Sequence, residues 1–593
     1  MLYTAEQEAV LATNHHLVIN AVAGSGKTTT LIAYASTRPA GSKILYLAFN
    51  KTVKTEALQK FSAAGVKNVR VETAHSLAFD HIIKGSNYKV VQAYKSFELC
   101  EQLNIKTNDR QTDFIIANHV NKFMGYFCNS KAARVQDLNY ADVVTDAKAK
   151  TFVNNFYKLI EQYTRIALAK MDKGEMAVTH DFYLKKFQLG NPVLLYDYIL
   201  FDEGQDASAA MLDVFLQQPA VKIIVGDKHQ QIYGWRYAIN SLQQVDYPVY
   251  NLSYSFRFDD EVALIANKIL GWKQHLKQPP AVKIVGAGVP ENKAVTKATL
   301  GRTNLSLLLN AIAQWQHGEI KKIYFEGNIN SYTFADEGAS LYDVLNLHNG
   351  KTDKIKDQLI ATMKSMKDLE DYIEKTEDRS LAMIVEVVKE FGNKLPALIK
   401  ELKANHTENK EEADMIFSTV HRCKGMEYDE VTLLNDFINE DKLKKYIAQF
   451  GGDKILEADT NRLAEEINIL YVAATRAKNK LKIPPEINPL KSIELAPQQQ
   501  TVMTSSRKYQ RSSYADDWDL YKKAASKFDT ASSYSKPGNY GKKWNRLEED
   551  EAAELYNNGV SLKKIAQQLG RGENGVRFKL REMGIMNEGD IPF

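Results

Sequence analysis

The sequence predicts an α/β protein built on buried parallel sheets, with helical insertions and a small all-helical block near its C-terminal end. The first observation is a set of short apolar runs that end in polar turns: HLVIN, KILYLAFN, YDYILFDE, VKIIVGD and DEVTLLND. Short β-rich runs separated by helical segments are typical of strands buried on both faces of a parallel sheet. The second is the glycine-rich loop AVAGSGKT, which follows the first run directly. The third is a compact stretch of helical pattern from Trp544 onward.

Length and composition set the class of protein. The chain has 593 residues, 44% hydrophobic and 25% charged, which predicts a globular chain of about three to five domains. Cys100, Cys128 and Cys423 are too few and too far apart for a disulfide framework or a zinc cluster, so we expect a reducing compartment. The start MLYTAEQEAV lacks an export signal, and no apolar run approaches about 18 residues, so we expect no membrane partner. Because the net charge is only +4, a nucleic-acid partner would be met by local basic patches.

Composition shifts predict the domain organisation. Helical spacing of apolar residues in DFIIANHVNKFMGYF and FVNNFYKLIEQYTRIAL predicts an insertion into the first sheet domain. A charged, interrupted stretch between KATLGRT and MIFSTV predicts an insertion into a second sheet domain. The Ser-, Gln-, Tyr- and Lys-rich stretch from about Leu495 buries too little apolar surface to fold alone and is predicted to be a flexible linker. The predicted segments are 1–80 with 180–250 (first sheet domain), 81–179 (its insertion), 251–305 with 414–485 (second sheet domain), 306–413 (its insertion), 486–540 (linker) and 541–593 (C-terminal block).

The loop AVAGSGKT predicts a phosphate-binding site. Gly24 and Gly26 allow backbone amides to converge on phosphate oxygens, Lys27 can reach the β and γ phosphates, and the Thr28 hydroxyl can ligate Mg²⁺. Ala21 stands where the pattern usually has its first glycine. The alternative is a chance glycine-rich turn between a strand and a helix. The further predicted nucleotide contacts of this loop are Ala23, Ser25 and Thr29.

An acidic pair ends the strand-like run in YILFDEGQD. Asp202 would hold Mg²⁺ through water, and Glu203 could polarise an attacking water molecule. Alone the pair is weak evidence, because charged strand ends are common and usually only solvated. Together with the phosphate loop it predicts a site for ATP and Mg²⁺.

Further blocks follow in a characteristic order between about residues 2 and 483. They are YTAEQEAV, AFNK, TAHS, DEGQD, VGDKHQQIYGWR, LSYSFRF, STVHRCKGMEYDEV and EEINILYVAATRA. In this order they resemble the motifs of superfamily 1 helicases of the UvrD/Rep type. AFNK, HDFYLKKFQL and LGRTN are similar to the F-box DNA helicase branch. The resemblance implies two RecA-like parallel-sheet P-loop domains, each with a mainly helical insertion.

The resemblance also implies how ATP would be contacted. Arg257 and Arg476 match the arginines by which the second domain stabilises charge on the γ-phosphate, and Gln230 matches its sensor. Glu427 matches a ribose contact. For an arbitrary arginine the alternative is a surface ion pair. Around the adenine base of ATP, Gln7 would read the polar edge. Phe256 stands where relatives usually have the Tyr that stacks on the base, and Thr29 stands where many relatives have an Arg.

Single-stranded DNA requires stacking platforms, because every base has a π-face. Tyr233, Trp235 and Arg236 lie just after Gln230, and the spacing in IYGWRYA does not suit burial as one strand or helix. Aromatic residues are more often core than contact, but the resemblance favours a DNA role here. By the same resemblance, further DNA-binding candidates are Phe49, Asn50, His75 and His421.

The C-terminal block is predicted to form three helices, through LEEDEAAELY, then SLKKIAQQLG, then a run from about Glu573. It resembles helix-turn-helix modules of resolvases and Myb-like domains. Between Ser561 and Arg581 there are six basic residues and one acidic residue, which suits phosphate contacts. The alternative is a protein-docking module. The predicted DNA contacts are Lys563, Lys564, Arg571, Arg577 and Lys579.

The combined prediction is an ATP-dependent DNA translocase and helicase. By resemblance it moves 3′ to 5′ on single-stranded DNA and unwinds partly duplex DNA in repair, recombination or replication. We expect it in the cytoplasm of a prokaryote or virus-infected cell, or in a nucleus. One alternative is a translocase that strips proteins from single strands without unwinding. Another is a helix-turn-helix regulator with a vestigial ATPase.

Overall fold

The computed structural model describes residues 3–288, 296–327, 329–332, 338–452 and 455–490, with parts of 544–585. The chain divides into two compact units, Met1–Ala525 and Ser526–Phe593. Both large sheets belong to the first unit. No helix formed by the described residues is long and apolar enough to cross a membrane.

The first sheet is parallel throughout. The strands of this part of the chain are β1 (Leu17–Ala21), β2 (Ile44–Ala48), β3 (Val69–Thr73), β4 (Val90–Val91), β5 (Val178–Thr179), β6 (Tyr198–Phe201), β7 (Val221–Gly226) and β8 (Val249–Leu252). The sheet has the order β3-β2-β6-β7-β1-β8, while β4 pairs separately with β5. Every residue of β1 and β2 is buried, which explains their continuous apolar sequence.

Helices cover this sheet and form the first insertion. They are α1 (Ala5–Leu11), α2 (Lys27–Ser36), α3 (Lys51–Ala63), α4 (Ala74–Ile82), α5 (Ser96–Leu103), α6 (Arg110–Asn129), α7 (Ala147–Asp172), α8 (His180–Leu189) and α9 (Ala209–Leu216). Thr4, Thr73 and Thr179 cap α1, α4 and α8 by accepting a backbone N–H of the first turn. The predicted helices α6 and α7 are confirmed, and they pack against each other.

The second sheet is also parallel. Its part of the chain contains β9 (Tyr254–Ser255), β10 (Val285–Gly286), β11 (Lys297–Gly301), β12 (Ile323–Phe325), β13 (Met415–Thr419), β14 (Tyr428–Leu433) and β15 (Ala477–Lys482). The sheet has the order β12-β13-β11-β14-β15, and β9 pairs with β10 beside it. The helices are α10 (Asp260–Gly271), α11 (Asn304–Gln316), α12 (Leu341–His348), α13 (Met366–Thr376), α14 (Arg379–Phe391), α15 (Leu395–Ala404), α16 (Glu440–Gln449) and α17 (Glu457–Ala474). This confirms the predicted α/β class with two parallel sheets.

The structure corrects two predicted boundaries. Strand β8 pairs with β1, so the first sheet reaches Leu252 and the predicted division at 250 falls inside a strand. Strand β12 pairs with β13 and helix α11 packs on the same sheet, so both belong to the second sheet and not to the predicted insertion 306–413. The sequence does not reveal β12 because it offers only three apolar residues after a lysine-rich turn. The insertion itself comprises α12 to α15.

The two insertions contact each other, because α13 packs on α6 and α7. Glu377, just beyond α13, has a φ of 51° and accepts hydrogen bonds from the Thr145 N–H, the Thr145 hydroxyl and the Asp146 N–H. His119 of α6 lies 2.9 Å from the carbonyl oxygen of Lys375. The Glu377 hydrogen bonds at the surface and the buried His119 contact therefore favour one arrangement of these helices.

The second unit contains α18 (Arg546–Asn557) and α19 (Leu562–Gln568). Both coincide with predicted helices, and Gly570 has a φ of 60°, as expected after a helix end. Buried Ala552, Ile565, Val576 and Leu580 share one small core. The predicted third helix is described only in part. Of the predicted linker, 486–540, the part after residue 490 lies outside the described residues.

Candidate functional site

The phosphate loop joins β1 to α2. Gly24 and Gly26 have φ values of 74° and 77°, a conformation that favours glycine. A Cβ on Gly24 would lie 2.6 Å from the Cβ of Arg257. Gly26 precedes α2 and offers no side-chain cap, so the first amides of the helix point into the loop as donors for an anion. The buried Ser25 hydroxyl has no hydrogen-bond partner among the described residues, which also fits a phosphate.

The acidic pair lies at the end of β6. Glu203 has a φ of 53°, and its Oε1 lies 3.6 Å from Lys27 Nζ. Buried Tyr46 donates a hydrogen bond to Asp202 Oδ2, and Thr28 is among the side chains that influence the pKa of Tyr46. Tyr46 therefore orients Asp202, a hard oxygen ligand of the kind that suits Mg²⁺. The sequence gives no sign of this residue's role, because Tyr46 reads as an ordinary strand residue.

The two carboxyl groups titrate differently. Burial, then the Glu203 carboxylate, raises the pKa of Asp202 above its ordinary value. Burial alone would raise the pKa of Glu203, but the charges of Lys27 and Lys424 bring it below the ordinary range. Glu203 is therefore ionised at neutral pH, as a group that accepts a proton from water requires. The raised pKa of Asp202 suits a carboxylate that a cation would hold ionised.

Asp227 is the centre of the loop after β7. It is buried and accepts hydrogen bonds from the His229 N–H at 2.9 Å, the Gln230 side chain at 3.0 Å and the Tyr471 hydroxyl at 2.8 Å. Tyr471 belongs to α17 of the second sheet domain, and its oxygen also accepts the N–H of Ala23 at 3.3 Å. One phenol thus connects the phosphate loop, the loop of Gln230 and the second domain.

Two arginines of the second domain lie near each other, and one of them, Arg257, borders the phosphate loop. Arg257 donates from Nε to Glu427 at 2.7 Å and from Nη1 to the Thr475 carbonyl at 3.0 Å. Arg476 is buried and donates from Nε to the Val472 carbonyl at 3.0 Å. Burial, then the charge of Arg257, lowers the pKa of Arg476 to about 10. Two close cations with mainly neutral acceptors create a site that favours an anion.

The predicted base contacts lie close to the loop. Gln7 is buried; its Nε2 donates to Thr30 at 3.0 Å and its Oε1 accepts the Thr4 N–H. Phe256 is 51% exposed, and its backbone N–H donates to the Gly24 carbonyl. An exposed aromatic ring is therefore anchored directly beside the loop. Thr29 lies in the first turn of α2 and is partly exposed.

Several predicted DNA contacts come together next to Gln230. The rings of Phe49 and Tyr233 are stacked with centroids 5.7 Å apart, and the Tyr233 hydroxyl donates to the His421 carbonyl at 3.0 Å. Trp235 is 58% exposed, with the Arg236 guanidinium 4.5 Å from its ring centroid. Burial, then the charge of Arg302, lowers the pKa of His421 to about 4. A neutral His421 would contact DNA by hydrogen bonding, not as a cation.

The other two DNA candidates of the first domain have local partners. Asn50 caps α3 by accepting the Val53 N–H at 2.9 Å. His75, at the start of α4, lies 3.6 Å from Asp181 and edge-on to the rings of His180 and Tyr183. His75 therefore belongs to an aromatic cluster between α4 and α8 that the sequence did not predict.

The basic residues of the C-terminal block have unequal positions. Lys564 is exposed on α19. Arg571 is buried, ion-paired with Glu548 at 2.6 Å and placed 4.7 Å from the Trp544 ring centroid. Its position does not support the predicted phosphate contact, because its guanidinium holds the core of the block together. Lys579 pairs with Glu549 at 3.1 Å. The side chain of Lys563 and the whole of Arg577 lie outside the described residues.

Lys424 of the second domain is a site residue that the sequence did not single out. Its ammonium is buried against Asp206 of the first domain and donates to the Gln230 carbonyl at 2.7 Å. It also lies 4.8 Å from the Tyr233 ring centroid. The sequence does hold one signal for Lys424, because the residue lies inside the motif block STVHRCKGMEYDEV.

The site defines a P-loop nucleotide-binding protein with two parallel-sheet domains, because it combines the phosphate loop, the acidic pair and the arginines of the second domain. Residues 2–247 match the family model for the UvrD/REP helicase N-terminal domain. This part of the chain is therefore similar to helicases of the UvrD/REP type.

Individual relatives extend the similarity beyond the first sheet. F-box DNA helicase 1 of Gallus gallus is 29% identical over 517 residues, which cover 81% of this chain and 48% of the relative. F-box DNA helicase protein 1 of Schizosaccharomyces pombe is 28% identical over 540 residues, which cover 83% of this chain and 58% of the relative. ATP-dependent DNA helicase PcrA of Bacillus subtilis is 26% identical over 305 residues, which cover 45% of this chain and 39% of the relative. The chain spans about half the length of the F-box relatives that it matches.

Proposed function

We propose that the chain is an ATP-driven DNA translocase and helicase, in which ATP hydrolysis between the sheet domains moves single-stranded DNA along the adjacent surface. The contact of the second domain with the phosphate loop carries this proposal. Arg257 lies against Gly24, and Tyr471 bridges Ala23 and Asp227. A change of phosphate state at the loop would act directly on the position of the second domain.

The first domain would hold and activate the reactants. The loop amides and Lys27 bind the β and γ phosphates, and the amides around Gly24 and Gly26 need no side-chain movement to do so. Thr28 and Asp202 would hold Mg²⁺, which when bound neutralises phosphate charge. Glu203 orients the attacking water and accepts its proton, as its lowered pKa permits.

The second domain would complete the site. Arg257 and Arg476 stabilise the charge that develops on the transferred phosphoryl oxygens. Gln230, whose amide is oriented by Asp227, contacts the γ-phosphate. Glu427 would leave Arg257 and bind the ribose hydroxyls when the nucleotide enters.

The adenine would lie between Phe256 and Gln7. Stacking on exposed Phe256 tolerates any base, and Gln7 retains one amide N–H beyond the one given to Thr30. Thr29 cannot stack on the opposite face as an arginine can. We therefore propose weak discrimination between ATP and other nucleoside triphosphates.

The DNA strand would pass over Phe49, Tyr233 and Trp235, which offer stacking surfaces beside Gln230. Tyr233 is three residues from Gln230, so a change at the γ-phosphate reaches the base-contacting segment through one short loop. Arg236, Asn50, His75 and His421 would contact the same strand. We propose 3′-to-5′ movement, single-stranded and partly duplex DNA as substrates, and a role in DNA repair, recombination or replication.

Unwinding of partial duplexes with 3′ or 5′ single-stranded tails tests the polarity. We expect ATP-dependent strand separation only with the 3′ tail, and preference for a 5′ tail would contradict the proposal. Displacement of a protein from single-stranded DNA, measured in parallel, separates the helicase from a translocase that does not unwind.

Hydrolysis itself separates a motor from a DNA-binding regulator. Lys27→Ala and Arg476→Ala should each nearly abolish DNA-stimulated ATP hydrolysis. Wild-type protein that binds DNA but does not hydrolyse ATP would favour the regulator.

For the C-terminal block we propose DNA binding through Lys563, Lys564, Arg577 and Lys579. Removing the residues after about Pro497 should weaken DNA binding while hydrolysis stimulated by excess single-stranded DNA remains. Unchanged DNA affinity would favour a protein-docking role for this block.

A further inference from the structure

A buried lysine of the second domain contacts the loop that carries Gln230. Lys273 lies in the short 3₁₀ helix Trp272–Leu276, directly after α10, and is 5% exposed. Its ammonium lies 2.9 Å from Nδ1 of His229. No carboxylate oxygen of the described residues lies within 4.0 Å of this ammonium, so Lys273 forms no ion pair with them.

The chemistry of the contact fixes the state of both groups. A lysine ammonium only donates, so Nδ1 of His229 accepts and the imidazole is neutral with its proton on Nε2. Burial, then the charge of Lys273, lowers the pKa of His229 well below its ordinary value. Nε2 of His229 is buried without a partner among the described residues. The hydrogen bond between Lys273 and His229 is therefore strongest while Lys273 carries its proton.

The same proton is weakly held. Burial lowers the pKa of Lys273 to about 7. Of the charged groups that face the ammonium, Asp227 favours its protonated form and Lys228 opposes it. The ring of Tyr471 is edge-on to His229 from α17. A buried cation without an adjacent carboxylate costs folding free energy, so packing alone gives no reason for a lysine at this position.

His229 connects Lys273 to the centre of the ATP site. Its backbone N–H donates to Asp227, and the next residue, Gln230, donates its side-chain amide to the other oxygen of Asp227. The second of these oxygens also accepts from Tyr471. Displacing His229 would shift the loop that orients Gln230, without touching the phosphate loop itself.

We propose that Lys273 is a positioning residue for ATP hydrolysis, whose ammonium holds His229 and thereby places Gln230 against the γ-phosphate. The inference rests on the proposed ATP-driven function and adds a second-domain residue to it. Loss of the ammonium proton weakens the hydrogen bond to Nδ1, because a neutral amine is a poorer donor than an ammonium, and it removes a positive charge near Asp227. Hydrolysis therefore slows as the pH rises through the range in which Lys273 loses its proton.

Steady-state ATP hydrolysis on saturating single-stranded DNA, measured between about pH 6 and 9, tests the role. We expect Lys273→Met to lower kcat by roughly tenfold with KM for ATP changed less than about twofold, because ground-state binding is untouched. Lys273→Arg should restore most of kcat, and its kcat should not fall at alkaline pH as the wild type does, because arginine stays protonated. Lys268→Met, on the exposed face of α10, is the matched control and should behave as wild type.

The possible outcomes distinguish failure of the positioning role of Lys273 from failure of the proposed ATP-driven function. Wild-type kcat in Lys273→Met, a change in KM alone, or a wild-type alkaline decline in Lys273→Arg would each overturn the positioning role while the motor stands. Absence of DNA-stimulated hydrolysis in the wild type would overturn both. The melting temperature of Lys273→Met at pH 6 should equal or exceed that of wild type, because a buried charge is removed; if it falls, the pH profile of Lys273→Arg decides.

Discussion

The hydroxyl of Tyr471 donates a hydrogen bond to Asp227 Oδ2 at 2.8 Å, from a helix of the second sheet domain to a loop of the first. The same oxygen accepts the N–H of Ala23 in the phosphate loop at 3.3 Å. Because the phenol is buried, no water competes for these bonds. The two domains therefore meet through a polar group that touches the nucleotide-binding elements directly.

Tyr471→Phe should uncouple this contact while preserving the packing of the ring. Removing one donor from buried Asp227 costs about 1–3 kcal/mol, and we expect DNA-stimulated kcat to fall by roughly tenfold, since about 1.4 kcal/mol corresponds to a factor of ten. Steady-state hydrolysis measures the effect. Tyr446→Phe, at an exposed position of the same domain, is the control, and equal activity of both variants would contradict the prediction.

The buried ion pair between Lys424 and Asp206 also crosses the two domains. Lys424→Met leaves a carboxyl group buried without its cation, which should destabilise the protein by about 3–5 kcal/mol at neutral pH. Melting temperatures measured across pH check this value. The double variant Lys424→Met with Asp206→Asn should recover most of the loss, and a melting temperature as low as that of the single variant would contradict the explanation.

The pH dependence of that destabilisation has a definite sign. Burial raises the pKa of Asp206 to about 7 against the charge of Lys424, and removing Lys424 raises it further. A carboxyl group whose folded pKa lies above its unfolded pKa binds more protons in the folded state, so its contribution to stability falls as pH rises. Lys424→Met should therefore lose more stability relative to wild type at pH 8 than at pH 5.

Gly24→Ala should abolish nucleotide binding. Its φ of 74° disfavours alanine, and the added Cβ would lie 2.6 Å from the Cβ of Arg257, so the loop or the second domain must move. Binding of a fluorescent ATP analogue measures the loss. Gly271→Ala meets no atom within 4 Å and should bind the analogue as wild type does; retained binding in Gly24→Ala would contradict the assignment.

Glu377→Ala should loosen the contact between the two insertions. Its carboxylate accepts three hydrogen bonds from Thr145 and Asp146, and their loss leaves the Thr145 and Asp146 N–H groups open to exchange with water. We expect faster amide hydrogen exchange at 145–149 with DNA-stimulated hydrolysis within about twofold of wild type. Glu374→Ala removes only the exposed pair with Lys148, which contributes about 0–1 kcal/mol, and should leave exchange unchanged.

The elements that the sequence predicts are those whose local pattern is strong. Strands β1, β2, β6 and β7 are continuous apolar runs because both their faces are buried. Strand β15, AKNKLK, is partly exposed at the edge of its sheet and carries three lysines, so nothing in its composition indicates a strand. Strand β12 is too short to leave a pattern.

The same contrast holds at the site. Lys27, Thr28, Asp202 and Glu203 stand in short motifs, because in the proposed site one loop and one strand end would present several groups to the same phosphates. Tyr46 and Lys273 stand outside any motif, and each contacts a partner distant in sequence: Asp202 for Tyr46 and His229 for Lys273. Pairings of this kind leave no trace in spacing.

By itself, the sequence determined the α/β class, the phosphate loop and the order of the motifs, because backbone periodicity and contiguous motifs are local properties. The tertiary structure decided which groups meet across the domains, because hydrogen bonds and burial depend on distances between segments that are far apart in sequence. Tyr471 with Asp227, Lys424 with Asp206 and Lys273 with His229 are such contacts. The desolvation of these charges, and hence their shifted pKa values, exists only in the folded chain.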